Sequence, residues 1–255
     1  MRAAEPGLYE LAWRDRIAEI HLTCGKANAL NARSLAAIAG ALEDAAAGEA
    51  RGVVLTGYDR FFSAGLDLVA LYDLSRLQLD AFVRDFDRVM LQLFAFPRPV
   101  VAAVNGHAVA GGCILALACD ARLLVAEGGT VGLNEIQLGL PFPASALEIA
   151  RQAVPPEFLE SVLYGGQLYT PRDAMAHGLV DGLASGDVVT DAMAVCRRLC
   201  EPPSRAFEAI KASLKAPAVH RAQAALDALR RAFVDAWFSP EARRRIGETR
   251  ARLIA

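Results

Sequence analysis

Short apolar runs broken by single polar residues at Tyr9–Trp13 and Ile17–Leu22 predict two strands joined at Arg14-Asp15-Arg16. Leu35 to Ala46 is rich in Ala and Leu, with apolar residues at helical spacing, and ends near Gly48. Gly52–Thr56 reads as a compact buried strand followed by a turn-rich loop from Gly57 to Asp67. Phe82, Phe86, Val89 and Leu93 recur on one face of Leu79–Phe94, an amphipathic helix. Pro97 and Pro99 stop that helix and set up the strand Val100–Val104. After a turn at Asn105-Gly106, the pattern predicts a buried helix at Gly112–Cys119, a strand at Ala121–Ala126, a turn at Glu127–Gly129 and a strand at Thr130–Gly132.

Strands alternating with helices imply an α/β core. From Ser145 onward the pattern is almost wholly helical: Ser145–Val154, Pro156–Tyr164, Pro171–His177, Val188–Leu199, Ser204–Leu214, Val219–Trp237 and Pro240–Leu253. Pro202-Pro203 suggests a division into a core of residues 1–200 and a helical region of residues 201–255.

Composition narrows the class. An apolar fraction of 54% over 255 residues supports one large core and argues against disorder. A formal charge of -2 offers no signal for nucleic acid. The arginine-rich end, Arg243-Arg244-Arg245 with Arg250 and Arg252, also carries Glu241 and Glu248, and it reads as a solvated or intersubunit helix. Pro99–Cys119 lacks Asp, Glu, Lys and Arg, but Asn105-Gly106-His107 in its middle favours a buried strand–turn–helix over a membrane span. Charges interspersed through Met1–Ile20 give no secretory pattern, and five cysteines without a CxxC suggest reduced thiols, so a cytoplasmic protein is expected. Four scattered histidines give no metal-ligand spacing, and no metal is expected.

Candidate chemistry lies between Asn105 and Glu135. Gly111-Gly112 opens an apolar helix with no carboxylate near its start, leaving backbone donors suited to an anionic oxygen. Gly106 to Gly112 resembles a phosphate loop only superficially, since the lysine and hydroxyl residues of that motif are missing. Phe61–Leu68 is a second loop, in which small Ser63, Ala64 and Gly65 leave main-chain groups accessible. Two such loops can place two N–H donors around one oxygen, and Glu135 in an apolar context suits proton transfer.

FSAGLDL at Phe62–Leu68, AAVNGHAVAGGC at Ala102–Cys113 and GLNEIQLGL at Gly132–Leu140 resemble the enoyl-CoA hydratase/isomerase (crotonase) family, from about Ile17 to Asp181. The resemblance implies an α/β, crotonase-like spiral of ββα units with a C-terminal helical trimerisation region, forming a homotrimer or a dimer of trimers. It further implies an acyl-CoA thioester as substrate, coenzyme A being part of that substrate rather than a separate cofactor, and no nucleic-acid or membrane partner. Carried over by position, the oxyanion donors are the N–H groups of Leu66 and Gly111. Ala64, Asp67 and Leu68 fall in the adenine-contacting loop, and Lys26 in an early CoA-contacting loop, Lys26–Leu30. Asp67 is also expected to cap or brace its loop.

Family hydratases use two glutamates, and here the first position is Ile114 while the second is Glu135. A lone glutamate fits delta(3),delta(2)-enoyl-CoA isomerases, in which one base removes the α proton and returns it to the γ carbon. Ile114 is expected to keep water from that side of the pocket, and Leu133 and Phe142 to raise the pKa of Glu135. Hydration of 2-enoyl-CoA and non-catalytic acyl-CoA binding are the alternatives. Dienoyl-CoA isomerisation is disfavoured, since Pro143 occupies the position of its further acid.

Overall fold

The computed structural model describes residues 7–254. Strands β1 (Tyr9–Arg14) and β2 (Ile17–Leu22) form an antiparallel hairpin, with Arg14 opposite Ile17. Helix α1 (Ala32–Ala47) is started by Asn31, whose side chain accepts from the Arg33 and Ser34 amides while Ser34 Oγ accepts from the Asn31 amide, a capping box.

Three strand–strand–helix units then follow. The first is β3 (Gly52–Thr56), β4 (Phe61–Ser63) and the helices α2 (Leu68–Leu71) and α3 (Arg76–Phe94). The second is β5 (Val100–Val104), β6 (His107–Val109) and α4 (Gly111–Leu117). The third is β7 (Ala121–Leu124), β8 (Val131–Gly132), a 3-10 turn at Glu135–Leu138 and α5 (Ala144–Ala153). The chain continues through α6 (Pro156–Gly165), α7 (Pro171–Ala176), β9 (Gly182–Leu183), α8 (Val188–Cys200), α9 (Ser204–Trp237) and α10 (Pro240–Ile254).

Each unit sends one strand to each of two sheets. The larger has the order β1-β2-β3-β5-β7-β9 and the smaller β4-β6-β8, with parallel pairing beyond the first hairpin. This is the ββα spiral expected of the sequence. Both faces of the central strands are covered, which explains their uninterrupted apolar runs. Val53, Leu55, Ala102 and Val104 point into the main core, whereas Val54, Val101 and Ala103 pack against Ala192, Met193 and Cys196 of α8. The Pro99–Cys119 segment becomes β5, β6 and α4, and no helix among the described residues is long and apolar enough to cross a membrane.

Three local expectations need correction. The Gly57–Asp67 loop contains β4, and the Asn105-Gly106 turn leads into β6 before α4; strands of three residues show too little alternation to be read. The helices expected at Ser204–Leu214 and Val219–Trp237 form one helix, α9, with Pro217 inside it. An interior proline costs about 3 kcal/mol. Anchors on both sides offset it: Lys211 bonds Asp120 at 2.6 Å, and Arg221 bonds Glu148 of α5 at 2.6 Å. Finally, the arginine-rich α10 is not solvated all round but folds back on this chain, where Arg243 stacks over Tyr72 at 3.5 Å and donates to the Tyr72 carbonyl at 2.7 Å.

Candidate active site

The loop after β4 meets Leu30, at the end of the Lys26–Leu30 segment, through a hydrogen-bonded seam. Leu30 N–H donates to Gly65 O at 2.7 Å, and Asp67 N–H donates to Leu30 O at 2.9 Å. Leu66 pairs with Leu30 in this parallel bridge, and both bonds are made by its neighbours, so its own N–H faces away from the seam. Buried Asn28 holds the arrangement: its amide donates to the carbonyls of Leu22 and Phe62 at 3.0 and 3.2 Å, and its oxygen accepts from Cys24 N–H at 2.7 Å. Ser63 Oγ donates to Asn28 O at 2.8 Å and accepts from Gly65 N–H at 3.3 Å.

Helix α4 is pressed onto this loop. A Cβ at Gly112 would lie 2.2 Å from Ser63 O, so only glycine permits the approach. Gly65 has φ +81 and sits against the amide of Gly111. Ala110, the residue before α4, has φ 51 and ψ -122, an unfavourable conformation for a residue with a Cβ. That turn presents Gly111 N–H at the first position of α4, where no intrahelical acceptor exists. Gly111 thus begins α4 beside Leu66, whose side chain lies 3.7 Å from where a Gly111 Cβ would be.

Glu135 opens the 3-10 turn after β8 and is buried, at 7% exposure. Gly132 allows β8 to run beside the Gln167 carbonyl, which a Cβ would approach to 2.2 Å. One carboxylate oxygen of Glu135, Oε2, is buried with no hydrogen-bond partner. Desolvation pushes its pKa up to about 8, against a smaller lowering by its own amide. Cys113, in the first turn of α4, has its thiol pKa raised by burial and further by the Glu135 charge, so the carboxyl faces the start of α4.

Glu135 and Leu66 line one cavity of about 1530 Å³. Leu66, Val109, Ala110, Leu138 and Leu140 line it, along with Asn134 and Gln137. Ala64, Asp67, Leu68 and Lys26 lie along the same cavity. Asp67 does cap: it accepts from Ala70 N–H at 2.9 Å and from the Asn31 amide at 2.9 Å. Ile114 and Phe142 lie elsewhere. Ile114 is fully enclosed in the core one turn along α4, and Phe142 packs half-buried against the core; neither lines this cavity.

Of the outer rim, sequence reading named Lys26 and missed the rest. Lys26, Arg60 and Arg252 form no ion pair among the described residues, although Lys26 donates to Leu253 O at 3.2 Å and Arg252 to Thr249 Oγ1 at 3.1 Å. Arg245, Thr249, Arg252, Leu253 and Ile254 of α10 supply one side of the opening. The segment from Leu71 to Phe96 contributes nothing to the lining. Glu148, by contrast, is tied up with Arg221 and Arg151, away from the cavity.

The sequence matches the family described as enoyl-CoA hydratase/isomerase over residues 13–251. The chain belongs to the enoyl-CoA hydratase/isomerase family. The match continues through the C-terminal helices, beyond the Ile17–Asp181 segment where the resemblance is strongest. The chain is 33% identical over 165 residues to the probable enoyl-CoA hydratase EchA17 of Mycobacterium tuberculosis, covering 64% of this chain and 62% of that one. It is 34% identical over 141 residues to mouse mitochondrial enoyl-CoA delta isomerase 1, covering 54% of this chain and 49% of that one. These alignments thus span about half to three-fifths of the relatives' lengths. Human mitochondrial delta3-delta2-enoyl-CoA isomerase superimposes with a TM-score of 0.92 at 26% identity, covering 97% of this chain and 98% of that one.

Proposed function

We propose that this enzyme moves a double bond in an acyl-CoA thioester from the 3,4 to the 2,3 position, with Glu135 as the single acid and base. The observation that carries the proposal is one buried carboxyl with an orphaned oxygen in a cavity that Leu66 also lines, near the start of α4 that Gly111 opens. The thioester oxygen accepts from Leu66 and Gly111 N–H as the enolate forms. Glu135 takes the α proton and returns it to the γ carbon, where charge has been delocalised. A carboxyl with a pKa near 8 holds that proton between the two transfers more readily than an ordinary glutamate.

Coenzyme A enters as part of the substrate. The unpaired cations Lys26, Arg60 and Arg252 at the rim suit its phosphates, while the apolar lining residues suit the acyl chain. Hydration needs a second acid-base group to place water, and fully enclosed Ile114 stands at that position. The similarity to mitochondrial isomerases in sequence and over the whole fold supports the same reading. Ile210 and Leu214, one turn apart on α9 and 61% and 63% exposed, support association into trimers.

The test offers purified protein 3-enoyl-CoA and 2-enoyl-CoA separately and follows absorbance of the conjugated thioester. Gain from the first without loss from the second is expected; loss from the second indicates hydration, and binding without either change indicates a non-catalytic protein.

A further inference from the structure

Cys196 and Cys200 stand one turn apart on α8, on the face of the large sheet opposite the cavity. Both sulfurs converge on Gly52 at the start of β3. A Cβ there would lie 2.6 Å from Cys196 Sγ and 2.7 Å from Cys200 Sγ, so the missing side chain forms their shared seat. Each thiol reaches a main-chain carbonyl of the neighbouring strand region, Cys196 the Val53 oxygen at 3.7 Å and Cys200 the Arg51 oxygen at 3.2 Å. Cys196 is fully buried, whereas Cys200 is partly exposed at the last position of α8.

We propose that this pair is a site of oxidative modification, in which Cys200 reacts with a peroxide and Cys196 resolves the product to a disulfide. The Cys200 thiolate attacks one peroxide oxygen and the O–O bond breaks, giving a sulfenic acid on Cys200 and hydroxide, which is protonated to water. Cys196 sulfur then attacks the Cys200 sulfur. The S–O bond breaks, and the hydroxyl leaves with the Cys196 proton as a second water. Two thiols are oxidised by two electrons in total, and one peroxide is reduced.

Several contacts divide these roles. The neighbouring Cys196 thiol and the Arg51 charge lower the pKa of Cys200, against desolvation. Cys196 is pushed the other way by its Cys200 neighbour and by burial, so it remains a thiol until that neighbour is oxidised. Residues four apart on a helix have Cβ atoms about 5–6 Å apart, more than a disulfide's usual ~3.5–4.5 Å. Closing the bond therefore unwinds the last turn of α8, breaking the bond from the Arg51 guanidinium to the Cys200 carbonyl.

Trypsin provides a direct readout, because Arg197 and Arg198 lie between the two cysteines. The intact protein is treated with hydrogen peroxide, alkylated, unfolded, digested without reductant and analysed by mass spectrometry. Peptides 173–197 and 199–205 are expected to remain linked by a disulfide. Cys200 should be consumed at least about 10-fold faster than buried Cys24, whose pKa burial raises to about 11. In Cys196→Ser, a dimedone adduct should accumulate on Cys200. Unlinked peptides in the wild-type protein, or equal rates at Cys24 and Cys200, would overturn the proposal. So would the absence of the adduct in Cys196→Ser.

Discussion

Gly65 stands against the amide of Gly111 so closely that a Cβ on Gly65 would lie 3.3 Å from that nitrogen and 2.6 Å from the Val109 carbonyl oxygen. The contact sets the spacing of the Leu66 and Gly111 donors. Replacing Gly65 with alanine forces the loops apart and strains a residue at φ +81. Turnover of Gly65→Ala should fall by roughly 10²–10³, the usual effect of losing one oxyanion donor. Steady-state kinetics check this, and a loss confined to KM would count against the placement of the donors.

The pH dependence of activity follows from Glu135. Its base form is needed for the first proton transfer, and burial raises its pKa to about 8. We expect kcat/KM to climb with pH and level off above about 8 in the free enzyme. A profile already flat from pH 5 would mean that the carboxyl titrates as an ordinary glutamate.

The same group makes a prediction about stability. Between about 4.5 and 8 the unfolded chain has released a proton that the folded chain retains, so stability falls as pH rises through this window. Glu135→Gln removes the charge and should stabilise the protein at pH 8 by on the order of 2–3 kcal/mol, or roughly 4–10 °C in Tm. At pH 4 the gain should vanish. Thermal unfolding of the two proteins at both pH values checks the sign, and a gain of equal size at pH 4 would show that ionisation is not its source.

At the rim, Lys26, Arg60 and Arg252 carry charges unmatched by carboxylates among the described residues. Arg60→Ala and Arg252→Ala should each weaken coenzyme A binding by roughly 3- to 10-fold at low ionic strength, with a smaller effect in high salt. Titration calorimetry at two salt concentrations measures both. Salt-independent losses would point to packing instead.

The core and the buried Glu135 were legible in the sequence for different reasons. The buried strands Gly52–Thr56 and Val100–Val104 showed themselves because apolar runs between turn signals have few other uses. Glu135 was legible because a carboxylate among apolar residues after a glycine-led helix is unusual. Apart from Lys26, the rim was not legible. The charge pattern of α10 shows that the helix can be wetted, but which side faces Tyr72 and which faces Lys26 depends on tertiary packing. Ile114 carries a parallel lesson: its spacing from Gly111 located it on α4, while burial in the core was decided by the neighbours of that helix. Pro217 marked a helix break by local preference, which the contacts at Lys211 and Arg221 override.

The most direct measurement follows a label through the reaction. A 3-enoyl-CoA carrying deuterium on its α carbon is converted in ordinary water, and the product is analysed by mass spectrometry and NMR. A single carboxyl that both removes and returns the proton predicts deuterium on the γ carbon of the 2-enoyl product. Turnover should fall by about 10²–10⁴ in Glu135→Gln. A product with oxygen added at the β carbon, or undiminished turnover in Glu135→Gln, would contradict the account.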